Sequence, residues 1–373
     1  MKILGVDSTG GFSGGGGSYF FKALGQINDV RSIFVKLSKF QFFEELARSF
    51  RPYPSPNEKF PWSFFPYHKT AGSFVRRTLN CERMIERMQW KPEVVLQLGV
   101  YLSPTMGKKT FPYACYIDAT SKMAEREYPP WGEMYRSKAA KLDWMNLQRI
   151  LFLRASRVFT MSEYTRQSVI EDFHIQPDKV VVVYSGPNIR TLPYFEKDIS
   201  NKIILFVGGD FRRKGGLTLL RAFKEVNKRI PKSQLFIVGS SPKISGPGIT
   251  VKGFVKKEEL TSLYKQASIF AMPSLFDPFP HVFMEAMAFK TPCIGANRDA
   301  MPEIIDDGKS GFTVPVQNPV KLAEKMIYLL ENEDVAKKMG EEGRRKVEKS
   351  FNWDTVSKKI TTNLLDLKSS NSA

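Results

Sequence analysis

Three segments of the 373-residue chain gather the residue types that hold phosphates and sugar hydroxyls. In Phe206-Val207-Gly208-Gly209-Asp210-Phe211-Arg212-Arg213-Lys214-Gly215-Gly216 an apolar run ends in glycines and then in cations. Glycine lets the backbone approach a ligand closely, and an arginine fork beside a lysine point charge suits a diphosphate. Cations solvated on a surface loop are the plainer alternative. In Pro273-Ser274-Leu275-Phe276-Asp277-Pro278-Phe279-Pro280-His281-Val282-Phe283-Met284-Glu285, two carboxylates stand eight residues apart, one in a proline-rich loop and one in the helix that follows. The loop can turn Asp277 toward sugar hydroxyls while the helix offers Glu285 to a ribose and its first N–H groups to phosphate. Two ordinary surface acids would give the same spacing. A place at the carboxyl end of a strand, where open α/β sheets bind ligands, weighs against that alternative.

The third segment, Ser13-Gly14-Gly15-Gly16-Gly17-Ser18, follows the first apolar run and precedes Tyr19-Phe20-Phe21-Lys22-Ala23-Leu24. A glycine-rich turn between strand and helix presents backbone N–H groups, here at Gly15 and Gly16, to an anion. It has neither Gly-x-Gly-x-x-Gly spacing with a later acid nor a Lys-Ser/Thr ending, so dinucleotide and Walker-type sites are disfavoured. A flexible loop without a ligand is the alternative.

Strands and helices must position these segments. Apolar runs predict strands at 3–6, 32–35, 94–98, 113–117, 157–161 and 180–183, then at 203–207, 234–238, 249–252, 269–272, 292–295 and 311–314. Amphipathic stretches between them, including 217–229, 257–266, 281–289 and 319–330, predict helices. That alternation is the pattern of helices covering parallel sheets, and the length favours two domains, so the expected class is α/β with two doubly wound domains. The expected division is a first domain over 1–185, a linker over 186–202, a second domain over 203–355, and a C-terminal helix over 356–373 that packs back toward the first domain and ends in a frayed tail. Residues 35–91 form an unusual insertion with 11 basic, 5 acidic and 12 aromatic residues.

Composition excludes several classes. Hydrophobic residues make up 42% and charged residues 25%, the balance of a globular chain. Three scattered cysteines and three scattered histidines argue against a metal cage, a structural disulfide set or a Ser-His-Asp triad, so no metal and no cofactor are expected. No apolar run reaches the roughly 20 residues that span a bilayer, and no secretory signal opens the chain, which points to the cytoplasm. A net charge of +18 calls for an anionic partner, and it is spread evenly: 26 basic against 17 acidic residues up to Ser185, and 30 against 21 beyond. Leu37, Phe40, Phe43, Ala47 and Phe50 partly follow a helical period among basic residues, which fits peripheral contact with an acidic membrane face. Burial of those aromatics against the first sheet is the alternative.

With Gly253-Phe254-Val255, Leu263-Tyr264, Pro302-Glu303-Ile304-Ile305 and Gly308 to Phe312 added in the same order, the second half resembles the retaining glycosyltransferase family 4 of GT-B fold, two Rossmann-like domains facing a central cleft. The resemblance implies a nucleotide-diphosphate sugar as donor and a glycan or lipid-linked hydroxyl as acceptor. It implies that Arg213 and Lys214, with Arg212, hold the diphosphate, that Asp277 faces the transferred sugar and Glu285 the ribose, and that backbone at Gly209, Phe279, Pro280, His281 and Val282 approaches the donor. Gly253, Phe254 and Val255 would line the base pocket. The family's usual first acid is Glu, one methylene longer than Asp277. Many relatives carry an arginine where this chain has Gly209, and many place a histidine near the reacting sugar where this chain has Asp118. Asp118 could position an acceptor hydroxyl or meet developing positive charge; capping the next helix is its plainer reading. The chain has no Asp-x-Asp, the usual metal-binding pair of the other major glycosyltransferase fold, so metal-independent transfer is the expectation; that the group is a hexosyl and that its configuration is retained is what the resemblance implies. A sugar-nucleotide epimerase or phosphorylase of the same fold, or a non-catalytic basic binder of nucleic acid or membrane surface, are the alternatives; no nucleic-acid motif is present.

Overall fold

A computed structural model describes residues 1–7, 16–49, 53–54, 62–63, 70–106, 111–128, 135, 137–189 and 191–370. The chain divides into two units, one formed mainly by residues 1–185 with 353–373 and the other by 186–352.

In the first unit, β1 (Lys2–Asp7), β2 (Asp29–Phe34), β5 (Val94–Leu98), β6 (Tyr113–Ile117), β7 (Arg157–Thr160) and β8 (Val180–Val182) make a parallel sheet in the order β2-β1-β5-β6-β7-β8. Every residue of β5 and β6 is buried, as expected of strands covered on both faces. The helices are α1 (Gly16–Leu24), α2 (Lys39–Ser49), α3 (Ala71–Arg87), α4 (Ser121–Glu127), α5 (Lys138–Arg154) and α6 (Glu163–Phe173), with a two-residue antiparallel pair β3 (Tyr53–Pro54) and β4 (Trp62–Ser63) in the insertion. Trp144 of α5 and Phe74 of α3 meet edge-to-face at 5.9 Å inside this core.

In the second unit, β9 (Ile203–Val207), β10 (Gln234–Val238), β11 (Ile249–Gly253), β12 (Ile269–Met272), β13 (Cys293–Ala296) and β14 (Gly311–Val314) form a parallel sheet in the order β11-β10-β9-β12-β13-β14. Central β9 pairs Ile204 with Leu235 on one side and with Ile269 on the other. Its helices are α7 (Gly216–Arg229), α8 (Lys257–Gln266), α9 (His281–Ala288), α10 (Met301–Ile304), α11 (Pro319–Glu331) and α12 (Glu333–Lys349). Helix α7 buries Leu219, Ala222, Phe223 and Val226, an apolar stripe at helical spacing. The chain leaves β9 for β10 on one side and β12 for β13 on the other, so the loops after β9 and β12 part at a topological switch point.

One segment is placed differently from the expected division. Residues 186–202 lie within the second unit, where the Lys197 ammonium donates to the carbonyls of Tyr264 (2.7 Å) and Lys265 (3.0 Å) and to Thr291 Oγ1 (2.8 Å). The last helix, α13 (Trp353–Ser370), is part of the first unit: Trp353 packs on Phe20 at 5.7 Å and Thr361 accepts from Asn28 at 2.8 Å. On α2, Phe40 and Phe43 are 72% and 64% exposed, so burial against the sheet does not account for them. Ala47 has no described side chain, and Phe50 lies outside the described residues.

Candidate active site

The loop after β9 is shaped by contact with the loop after β12. Gly215 has φ +78°, and a Cβ there would lie 1.9 Å from the carbonyl oxygen of Pro273, so only glycine lets the two loops touch. Their backbones join where Leu275 N–H donates to Arg213 O at 2.7 Å. Arg213 is buried; its guanidinium donates to Phe276 O at 2.7 Å and lies 3.4 Å from the Asp210 carboxylate, which also accepts from Arg213 N at 3.1 Å. Lys214 Nζ pairs with the Asp277 carboxylate. Burial holds the Lys214 ammonium below the usual lysine range; Asp277 opposes that shift and Arg213 adds to it. Asp277 itself is buried, and its backbone N–H donates to Asp299 Oδ2 at 2.8 Å.

Helices α7 and α9 both begin here without a side-chain cap, at Gly215 and at Pro280. Their first turns therefore offer the partial positive charge and donor groups that favour anions. His281, the first residue of α9, has its pKa lowered to about 4, because burial outweighs the pull of Asp277 and Lys214 repels a second positive charge. Its ring is neutral at physiological pH. One turn further, Glu285 is buried and accepts from the Tyr264 hydroxyl at 2.9 Å; burial raises its pKa, while hydrogen bonds from Tyr264 and Asn188 and the charge of Lys257 oppose the rise.

The carboxyl ends of β9, β10 and β11 continue this surface. Gly239 N–H donates to Gly253 O at 2.7 Å, and a Cβ on Gly209 would meet Gly239 O at 3.6 Å. Arg212 and Gly209 are exposed, Phe279 and Pro280 are buried, Val282 and Val255 are half-buried, and Phe254 is 85% exposed. The structure thus brings Arg213, Lys214, Asp277, His281 and Glu285 together at one end of one sheet. Asp118 belongs to the first unit, as does Gly16, the first residue of α1; Gly15 lies outside the described residues. Asp118 is exposed after β6 and does not cap α4: Thr120 does, accepting from Met123 N at 3.2 Å. Four residues that support the site had been given no role by sequence reasoning: Asp210, Asp299, Tyr264 and Asn188. Tyr264 carried a signal, as part of the Leu263-Tyr264 pair; Asp299, at φ +53° and bound to Asp277 across 22 residues, carried none.

A family model described as "Glycosyl transferases group 1" matches residues 194–346, a stretch inside the second unit. The second unit is similar to the glycosyl transferases group 1 family over that stretch. Among similar proteins are spore coat protein SA of Bacillus subtilis, 27% identical over 55% of this chain and 63% of that one, and the MMP alpha-(1->4)-mannosyltransferase of Mycolicibacterium hassiacum, 24% identical over 57% and 54%. The chain spans little more than half the length of these curated relatives. Structural likeness runs further. A sucrose-phosphate synthase from Thermosynechococcus elongatus superposes with a TM-score of 0.73 at 18% identity, covering 99% of this chain and 100% of that one. Anabaena HepE in complex with UDP and glucose gives 0.67 at 15%, covering 98% and 99%. The two doubly wound units are thus those of the GT-B fold. The group 1 match takes in Arg213, Lys214, Asp277 and Glu285, and leaves Asp118 outside it.

Proposed function

We propose that this chain is a retaining glycosyltransferase that moves a hexosyl group from a nucleotide-diphosphate sugar to the hydroxyl of a glycan or lipid-linked acceptor without a metal ion. One observation carries the reading: two cations, two uncapped helix starts and two buried carboxylates converge at the switch point of the group 1 unit. Structural neighbours solved with UDP, and relatives named mannosyltransferases, support a nucleotide sugar and a hexose.

In the transfer, the bond from the anomeric carbon to the diphosphate oxygen breaks and its electron pair stays on the diphosphate. The acceptor oxygen bonds to the carbon and its proton passes to the departing diphosphate. Charge grows on the leaving group, so Arg213, Lys214 and the starts of α7 and α9 stabilise the transition state more than the ground state. Asp277 binds the sugar and releases Lys214 to the phosphates when donor arrives; Glu285 takes the ribose. Among the described residues no group of three His, Cys, Asp or Glu could hold a metal ion. Asp118 is assigned to the acceptor hydroxyl or the developing positive charge, and Gly15 and Gly16 to the donor. Among the described residues no helix is long and apolar enough to cross a membrane. The exposed Phe40 and Phe43, beside exposed Lys36 and Lys39, support peripheral contact with an acidic bilayer.

The test is calorimetric titration with a panel of nucleoside diphosphates. Wild type should bind at least one; Lys214→Ala and Glu285→Ala should each weaken that binding about 10- to 100-fold, with circular dichroism unchanged. Asp118→Asn should bind the same diphosphate normally. Wild-type-like affinity in both site variants would reject the assignment.

A further inference from the structure

Tyr264 is held at both ends. Its ring stacks on Phe289 at 5.6 Å with planes 6° apart, tilts against Phe270 at 6.2 Å, and is 1% exposed. Its carbonyl accepts from the Lys197 ammonium at 2.7 Å and from Thr291 Oγ1 at 3.2 Å. A phenylalanine would satisfy all of those contacts. What tyrosine adds is one hydroxyl in a dry place, where a hydroxyl left without a partner is destabilising. Here it donates to Glu285 Oε2 at 2.9 Å. Asn188 reaches the same carboxylate from the segment that opens the second unit, through its side chain and its backbone.

We propose that Tyr264, assisted by Asn188, is a positioning residue that fixes the Glu285 carboxylate in the acceptor-only form and orientation a ribose requires. The proposal rests on the reading of Glu285 as the ribose contact. An ionised carboxylate has about four lone-pair positions, so a phenol on one of them aims the group while leaving capacity for an incoming hydroxyl. A protonated carboxyl in the same place would turn one oxygen into a donor and mismatch the ribose. Donors aimed at the carboxylate favour its ionised form against the burial that opposes it. The groups that face Glu285 are Tyr264 and Lys257 of α8 and Asn188; Cys293 of β13 faces Tyr264.

The test uses the full chain, the tightest-binding nucleoside diphosphate and Tyr264→Phe, with dissociation constants measured from pH 5 to 9. Wild-type binding should fall on the acid side as Glu285 takes a proton. In Tyr264→Phe that fall should begin at higher pH, so that affinity is about 10-fold lower near pH 6, the worth of one charge-assisted hydrogen bond, yet close to wild type near pH 9. Equal weakening at every pH, or an unmoved acid limb, would overturn the proposal, since a packing role predicts one or the other. Asn188→Ala supplies the same readout if Tyr264→Phe folds poorly. A Glu285→Gln variant separates the two readings: if it binds diphosphate as wild type does, the ribose assignment fails, and the positioning role fails with it.

Discussion

The two units share a layout and differ in what they bury. At the carboxyl end of its sheet the first unit buries a network of neutral groups: Thr120 Oγ1 and Ser168 Oγ are 2.6 Å apart, Trp144 Nε1 donates to Ser121 Oγ at 2.7 Å, and Ser121 N–H donates to Gln148 Oε1 at 3.0 Å. The half-buried, charged Asp172 borders it, its carboxylate accepting from Ser168 Oγ at 2.6 Å. The second unit buries Arg213, Asp277 and Glu285 at the corresponding end, with Lys214 beside them; the first, among the described residues, buries Arg77 alone of the charged types. Neutral networks fix a fold cheaply. Buried ions are costly to desolvate and are weak evidence for stability, so their concentration at one switch point marks a site kept for chemistry.

The comparison is broken most severely by Gly215→Val. A side chain at φ +78° that must also enter Pro273 should destabilise the second unit by about 3 kcal/mol or more, lowering its Tm by roughly 6–12 °C and abolishing diphosphate binding. Differential scanning calorimetry with and without ligand reads both. An unchanged Tm would mean that the contact between the β9 and β12 loops does not build the site.

Glu285→Gln sharpens it by separating stability from binding. Burial raises the folded-state pKa of Glu285 above its ordinary 4.5, so the stability it contributes is fully present below about that value and is lost as pH rises through the raised pKa. The stability of wild type relative to Glu285→Gln should therefore decline from pH 4.5 through the mildly acidic range and then level off. At neutral pH the variant should lose diphosphate affinity about 10-fold or more without a matching loss of Tm. A constant gap in Tm across that range would show that Glu285 is not a buried ion in the fold.

The sheets were legible because strands buried on both faces read as apolar runs: 203–207 and 113–117 appear in the structure as expected. β2 is the instructive miss. It begins at Asp29, three residues before its apolar signal, because it is an edge strand whose first residues face water. The site was legible only in parts. Arg213, Lys214, Asp277 and Glu285 could be named from spacing and resemblance, but the Lys214–Asp277 pair joins residues 63 apart, and the Asp299 contact depends on a left-handed backbone turn that no local pattern announces. Exposure was equally hidden: an aromatic helical period reads alike whether it faces a core or solvent.

That ambiguity yields the smallest effect and the one confined to the first unit. Phe40→Ser with Phe43→Ser removes two rings that are already 72% and 64% exposed, so Tm should change by less than about 2 °C and diphosphate affinity should not change. Burial of a phenylalanine in an interface is worth roughly 1.5–3 kcal/mol, so sedimentation with vesicles of phosphatidylglycerol and phosphatidylcholine should show about 10-fold or greater loss of binding. Neutral vesicles should bind wild type weakly, since Lys36 and Lys39 then have no partner charge. Equal sedimentation of wild type and variant would detach the exposed aromatics from any membrane role. A parallel loss of diphosphate affinity would show instead that the chemistry is not confined to the charged switch point of the second unit.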